Sequence, residues 1–406
     1  MRFVLTFVPL LLSVLLLQCG TGGVAPLDVL SGLQLDFTPT QIGLLGSAHF
    51  AGFFVGCWFA PRLMGSVGHS RAFAAFAGAG TIGILAHMMW VNPYAWAVMR
   101  MASGLCVAGC YTIIEAWLHA RVTNENRGTA SGIYRVVDIG GSLMAQLFIA
   151  FLEPASFFAY NLLAIFCCAA LFPLSLTRSE QPSMPEAPRL RPWMGWRISP
   201  LAAMGVVSSG ITGAAFRMVG PIYGAEVGLS PDQIALFLVA YVGGGAVAQG
   251  PIGWLADRMP RRRMLILVSV ATIGTSLLMV PLAPTGWVGN FIGAFAFGFT
   301  TFPLYSVAAA HAHDMADDDD RVELTASLMF LYALGAIASP YLTSVLIGRM
   351  GATSMFVFIA IVHVALLIYG LYRSRIGHVS PPRTPYVYTP RTSFLIGRLL
   401  GRPRDK

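Results

Sequence analysis

The sequence predicts an all-α membrane protein of twelve transmembrane helices in two pseudo-symmetric six-helix bundles, with both termini cytoplasmic. Three observations carry this. Of 406 residues, 56% are hydrophobic and only 11% charged, where soluble domains carry about 25%. Apolar runs near the roughly 20 residues of a helical crossing fill the chain, and segments of the first half recur in the second. A mean hydropathy of +0.69 excludes one or two ordinary soluble domains.

Read between Gly, Pro and charge punctuation, the first six spans lie near 4–32, 40–63, 71–91, 95–120, 128–152 and 155–176, and the second six near 200–224, 232–256, 263–283, 286–310, 323–347 and 353–372. Residues 1–177 form the N-terminal bundle and 199–373 the C-terminal one. The stretch 178–198, with Pro182, Pro185, Pro188 and Pro192 among charges, is too polar to span and reads as a cytoplasmic linker. Residues 374–406 read as a disordered basic cytoplasmic tail. At the N-terminus, Arg2 and the apolar run to Leu17 have the outline of a secretory signal, and Leu16-Leu17-Gln18-Cys19 that of a lipoprotein box. Such a box needs a small residue where Gln18 stands, and the run continues past it, so the segment is expected to be a retained first span.

The net charge of +8 rests on arginine, since Lys406 is the sole lysine. Arg62, Arg71, Arg121, Arg127, Arg258 to Arg263, Arg321, the linker and the tail fall on the side of the termini, which the positive-inside rule makes the cytoplasm. Such a basic balance in an apolar chain reports anionic lipid headgroups rather than nucleic acid. The six cysteines all lie in apolar runs of the first half, with no disulfide or zinc spacing.

Thr38-Pro39-Thr40-Gln41-Ile42 recurs 192 residues later as Ser230-Pro231-Asp232-Gln233-Ile234. Both read as a capping box with Pro at the first helical position, opening spans 2 and 8 alike. Thr129-Ala130-Ser131 recurs 196 residues later as Thr325-Ala326-Ser327, opening spans 5 and 11. The halves are therefore expected to be duplicates.

Gly253-Trp254-Leu255-Ala256-Asp257-Arg258-Met259-Pro260-Arg261-Arg262-Arg263 resembles the signature loop of the major facilitator superfamily, with Pro260 where glycine is usual. Its first-half counterpart, from Pro61 to Arg71, has Gly65 where Asp257 stands. Arg100-Met101-Ala102-Ser103-Gly104 resembles that superfamily's fourth-helix arginine motif. Glu115-Ala116-Trp117-Leu118, Arg127-Gly128, Tyr134, Gln146 and Leu171-Phe172-Pro173-Leu174 resemble the bacterial YcaD-type permease branch. The fifth-helix antiporter motif is only half present, as Gly140-Gly141. The resemblance implies the major facilitator fold, a central cavity lined by helices 1, 4, 7 and 10, and a gating role for Asp257, Arg258 and Arg261, with Asp257 facing the start of helix 5 near Gly128 when the cytoplasmic side closes.

Ionisable residues within spans are costly and mark pathways or coupling sites. Arg100, Glu115, Arg135, Asp138 and Arg217 are such residues. Glu115 and Arg135 match in depth, about 10 Å from the cytoplasmic end at 1.5 Å per residue, and Asp138 lies one turn deeper. At the 196-residue spacing Leu331 and Leu334 stand opposite Arg135 and Asp138, so the charges belong to one half only. Glu115, Arg135 and Asp138 are expected to form a proton-coupling network, and Arg100, Arg217 and Tyr223 to contact an anionic or carbonyl-rich solute. His49, His87 and His363 read as packing residues, and Asp314 with Asp317 to Asp320 as a solvated acidic face.

These readings describe a monomeric secondary transporter of a small organic solute in a bacterial inner membrane, working by alternating access with protons, not an enzyme and without cofactor or metal. The alternative is a transporter-like sensor or binding scaffold without net flux.

Overall fold

The computed structural model describes residues 2–120, 127–176, 191–317 and 320–375. The connection 121–126, the expected linker up to residue 190, Asp318 and Asp319, and the tail from 376 onward lie outside the described residues. The chain divides into two compact units, Met1–Ala187 and Pro188–Lys406.

Unit 1 runs α1 (Arg2–Thr21), α2 (Val24–Gln34), α3 (Pro39–Val67), α4 (His69–Ala86), α5 (Pro93–Ala120), α6 (Arg127–Ile149), α7 (Phe157–Ala169) and α8 (Leu171–Ser175). Unit 2 runs α9 (Met194–Ile198), α10 (Pro200–Glu226), α11 (Pro231–Arg258), α12 (Arg261–Leu282), a 3-10 turn (Ala283–Thr285), α13 (Gly286–Thr301), α14 (Pro303–His313), α15 (Arg321–Met350) and α16 (Ser354–Arg375). Among the described residues, nine stretches are long and apolar enough to cross a membrane. One of them, Arg261–His313, is 53 residues long, more than twice what one crossing uses, and it contains α12 to α14. The helices α4 and α6 are not among the nine.

Helix starts follow the sequence chemistry. Thr38 opens α3 with a reciprocal capping box: its hydroxyl accepts from the Gln41 N–H at 3.3 Å while Gln41 Oε1 accepts from the Thr38 N–H at 2.9 Å. At α11, Gln233 Oε1 likewise accepts from the Ser230 N–H at 3.1 Å. Gly68 (φ 85) closes α3 and Gly351 (φ 87) closes α15 in the left-handed region that glycine enters without strain. The described end of the expected linker, 191–198, contacts α15. Ser327 Oγ accepts from the Gly195 N–H at 2.8 Å and donates to the Pro192 carbonyl, and Arg191 pairs with Glu323 at 2.9 Å, so 191–198 is folded onto α15.

The duplication reaches the packing. In unit 1, α3 lies on α5 and α1 on α6; in unit 2, α11 lies on α13 and α10 on α15. The crossings are made by glycines at matching places. A Cβ on Gly52 would run into the Met101 carbonyl and one on Gly104 into the His49 carbonyl. In unit 2, Gly244 meets the Phe295 carbonyl and Gly298 the Tyr241 carbonyl. Close approach of this kind is how membrane helices associate where apolar burial gives no preference over lipid. Gly141 faces Gln18 of α1 and Gly335 the Val207 carbonyl of α10, so the α1–α6 and α10–α15 crossings carry glycines as well.

Gly52→Leu should therefore separate α3 from α5 and destabilise unit 1 by about 3 kcal/mol or more. Gly78→Leu, where a new Cβ meets nothing within 4 Å, is the control. Thermal midpoints of the two purified variants check this, and equal midpoints would contradict it.

Candidate functional site

Unit 1 holds two polar clusters. In the first, Asp138 of α6 faces α1 and α5. Its Oδ1 accepts from Gln18 Nε2 at 2.7 Å and from the Tyr111 hydroxyl at 3.0 Å, and its Oδ2 lies 3.6 Å from Arg135 Nη1, one turn back. The Arg135 guanidinium also lies 5.1 Å from the Tyr134 ring centre. Glu115 is buried one turn beyond Tyr111 on α5. The structure thus joins Arg135 to Asp138 and sets Glu115 one turn from Tyr111. The Asp138 side chain keeps 17% exposure and is held by two hydrogen-bond donors and one cation.

The second cluster joins residues that no sequence pattern links. Asp28, on α2, is 1% exposed and accepts the Tyr160 hydroxyl on Oδ1 at 2.9 Å; its Oδ2 lies 3.3 Å from Arg100 Nε and 3.6 Å from His87 Nε2. Trp96 donates to the carbonyls of His87 and Trp90. His87 stacks on Tyr160 with ring centres 5.3 Å apart. Its Nδ1 must donate to the Gly83 carbonyl at 2.7 Å, so Nε2 attracts Asp28 only when it too carries a proton. Arg100, expected at the solute, is 2% exposed and engaged inside this network. His87, expected as packing, is one of its members. Asp28 carries the same signal as the five residues singled out from sequence, an acidic group in an apolar run, but near the end of span 1 it reads as a boundary residue.

Unit 2 has a cluster of aromatic rings. Phe216 lies 4.9 Å from Phe237, 3.9 Å from Tyr241 and 5.3 Å from Phe297. Tyr223, expected at the solute, is buried among them and donates to Asn290 Oδ1 at 2.6 Å. Its hydroxyl proton is committed to Asn290. Arg217, by contrast, is exposed on the otherwise buried α10 and meets no carboxylate among the described residues.

The signature loop is resolved into two unlike arginines. Arg261 is 2% exposed and bridges two carboxylates, Asp257 Oδ1 at 3.3 Å and Asp314 Oδ2 at 3.6 Å, while Nη1 donates to the Ala256 carbonyl at 2.7 Å. Asp314 is 5% exposed, so it belongs to this bridge and not to a solvated acidic face. Arg258, expected with Asp257 and Arg261, instead lies 4.0 Å over the Trp254 ring. Among the described residues, no group of three or more His, Cys, Asp or Glu is placed to hold a metal ion.

The model of the Major Facilitator Superfamily matches residues 10–223 and 202–403. The chain belongs to this superfamily. Superfamily members are transporters, not enzymes, and the chain is a multi-pass membrane protein of the major facilitator fold. It is 28% identical over 360 residues to an MFS-type transporter of Yersinia pestis, covering 86% of this chain and 92% of that one. It is 27% identical over 383 residues to the MFS-type transporter YcaD of Escherichia fergusonii, covering 92% and 97%. The fold is shared with the nucleoside transporter NupG, at a TM-score of 0.72 and 14% identity over 91% of this chain and 98% of that one. It is also shared with a D-xylose-proton symporter, at 0.66 and 14% over 94% and 98%.

Proposed function

We propose that this superfamily member carries a small organic solute across a bacterial inner membrane by alternating access, coupled to protons at Asp138. It does so as a monomer of twelve spans with both termini in the cytoplasm. The observation that carries this reading is the convergence of Gln18, Tyr111 and Arg135 on one partly exposed carboxylate inside the membrane domain. Protonation of Asp138 removes the charge that holds Arg135 and leaves an oxygen for Gln18 and Tyr111, so proton binding releases a cation on α6 while the contacts to α1 and α5 remain. A group whose partners change with its charge is what coupling requires. Arg217, a cation on a cavity-type helix without a protein carboxylate, is the proposed solute contact and favours an anionic or carbonyl-rich ligand. The Asp257–Arg261–Asp314 bridge is the proposed gating element.

The test is flux through purified protein in proteoliposomes, screened over organic anions, sugars and nucleosides. The proposal expects saturable uptake that an imposed pH difference accelerates. Saturable binding without flux for every solute bound would replace it by the sensor reading.

A further inference from the structure

We propose that each unit carries a binding site for the headgroup of an anionic phospholipid, built from a tryptophan and an arginine one turn apart at the C-terminal end of its second span. In unit 1 the Arg62 guanidinium lies 3.9 Å from the Trp58 ring centre and donates to the Trp58 carbonyl at 2.7 Å. In unit 2 Arg258 lies 4.0 Å from the Trp254 ring centre and donates to the Trp254 carbonyl at 3.4 Å. Both tryptophans are exposed, at 47% and 58%, as are both arginines.

Descent from one ancestral position does not explain the pair. The glycine crossings align α3 with α11 so that Gly52 matches Gly244, and in that alignment Trp58 matches Gly250 while Trp254 matches Arg62. The same two residues, in the same geometry, therefore stand one helical turn apart in the two halves. A scaffold contact would keep its position, whereas a surface contact needs only an outward face toward the end of the helix. Gly250 meets nothing within 4 Å, so the helix face that holds Trp58 in unit 1 is open, not packed, in unit 2.

Depth is marked independently. In unit 2, α9 presents exposed Trp193 and Trp196 just before α10 begins, and the chain returns to that end at the end of α11. Tryptophan gathers at the headgroup level, where its ring is in the acyl region and its N–H in the polar layer. The connections at the opposite end also carry exposed tryptophans, Trp90 and Trp287, but no arginine stacks on either among the described residues.

The chemistry selects an anionic group. One guanidinium nitrogen is committed to the tryptophan carbonyl, and the ring fixes the guanidinium plane. The remaining N–H donors point outward, and among the described residues neither Arg62 nor Arg258 meets a carboxylate. Planar, pre-positioned donors with an aromatic floor suit a lipid phosphate whose acyl chains run down the exposed apolar surface beside it.

The experiment is native mass spectrometry of the full chain released from micelles containing dioleoyl phosphatidylglycerol or dioleoyl phosphatidylcholine, for the wild type, Arg62→Gln, Arg258→Gln, the double variant and Trp58→Leu/Trp254→Leu. The wild type should retain two phosphatidylglycerol molecules in preference to phosphatidylcholine. Each arginine variant should weaken one of them about five-fold, the equivalent of about 1 kcal/mol per basic residue at the surface. The tryptophan double variant should reduce the preference although both charges remain, and inorganic phosphate should not compete. Equal retention of the two lipids by the wild type, or an unchanged preference in the double arginine variant, would overturn the proposal. Competition by inorganic phosphate would also overturn it, as the mark of a general anion site.

Discussion

Asp138→Asn should abolish accumulation driven by a pH difference while leaving solute exchange at equal pH. The asparagine keeps the size of the side chain and an oxygen for Gln18 and Tyr111, whose donors lie at 2.7 and 3.0 Å. It removes the charge that holds Arg135 at 3.6 Å. The variant is thus fixed in the arrangement of the protonated state and cannot exchange a proton in either conformation. A one-unit pH difference is worth about 1.4 kcal/mol per proton, a ten-fold accumulation. Liposomes with the wild type should approach that ratio, and liposomes with the variant should stay at equal concentrations inside and out. Full ten-fold accumulation by Asp138→Asn would remove Asp138 from the coupling step. Glu115→Gln, in the buried position beside Tyr111, should mainly lower the thermal midpoint.

Arg100→Met should be among the most destabilising single changes in unit 1, by about 3 to 5 kcal/mol, because it strands a buried carboxylate. Asp28 is 1% exposed, and without Arg100 its nearest cation is a histidine that must gain a second proton to help. The double variant Asp28→Asn/Arg100→Met removes the charge together with its partner and should recover a large part of the loss, since replacing a buried ion pair outright costs far less than breaking it. Thermal midpoints of the two single variants and the double variant, taken as a double-mutant cycle, measure this coupling. Additive losses would show that Arg100 and Asp28 do not depend on one another.

What could be read directly from the chain is what depends on local composition and on repetition. Hydropathy selects the membrane as solvent, because every buried backbone group must then be satisfied within a helix. The Thr38 and Ser230 boxes mark helix starts, because a capping box needs only four successive residues. The spacing of repeated segments reveals two like halves, and the ionisable residues in apolar runs single out Arg135 and Asp138 because their cost is visible in one dimension. Which of those residues meet was decided by helix packing. Gln18 lies 120 positions from Asp138, and Tyr160 lies 132 from Asp28; no local pattern links them, and only the glycine crossings bring their helices within hydrogen-bond reach. The same holds for Asp314, which read as one acid in a polar loop and is the second carboxylate of a buried arginine. Arg100 and Tyr223 sit on helices expected to line a cavity, but the facing of a side chain depends on the rotation of its helix about its own axis. Neighbouring helices set that rotation: those around Arg100 offer it Asp28, and those around Tyr223 offer it Asn290.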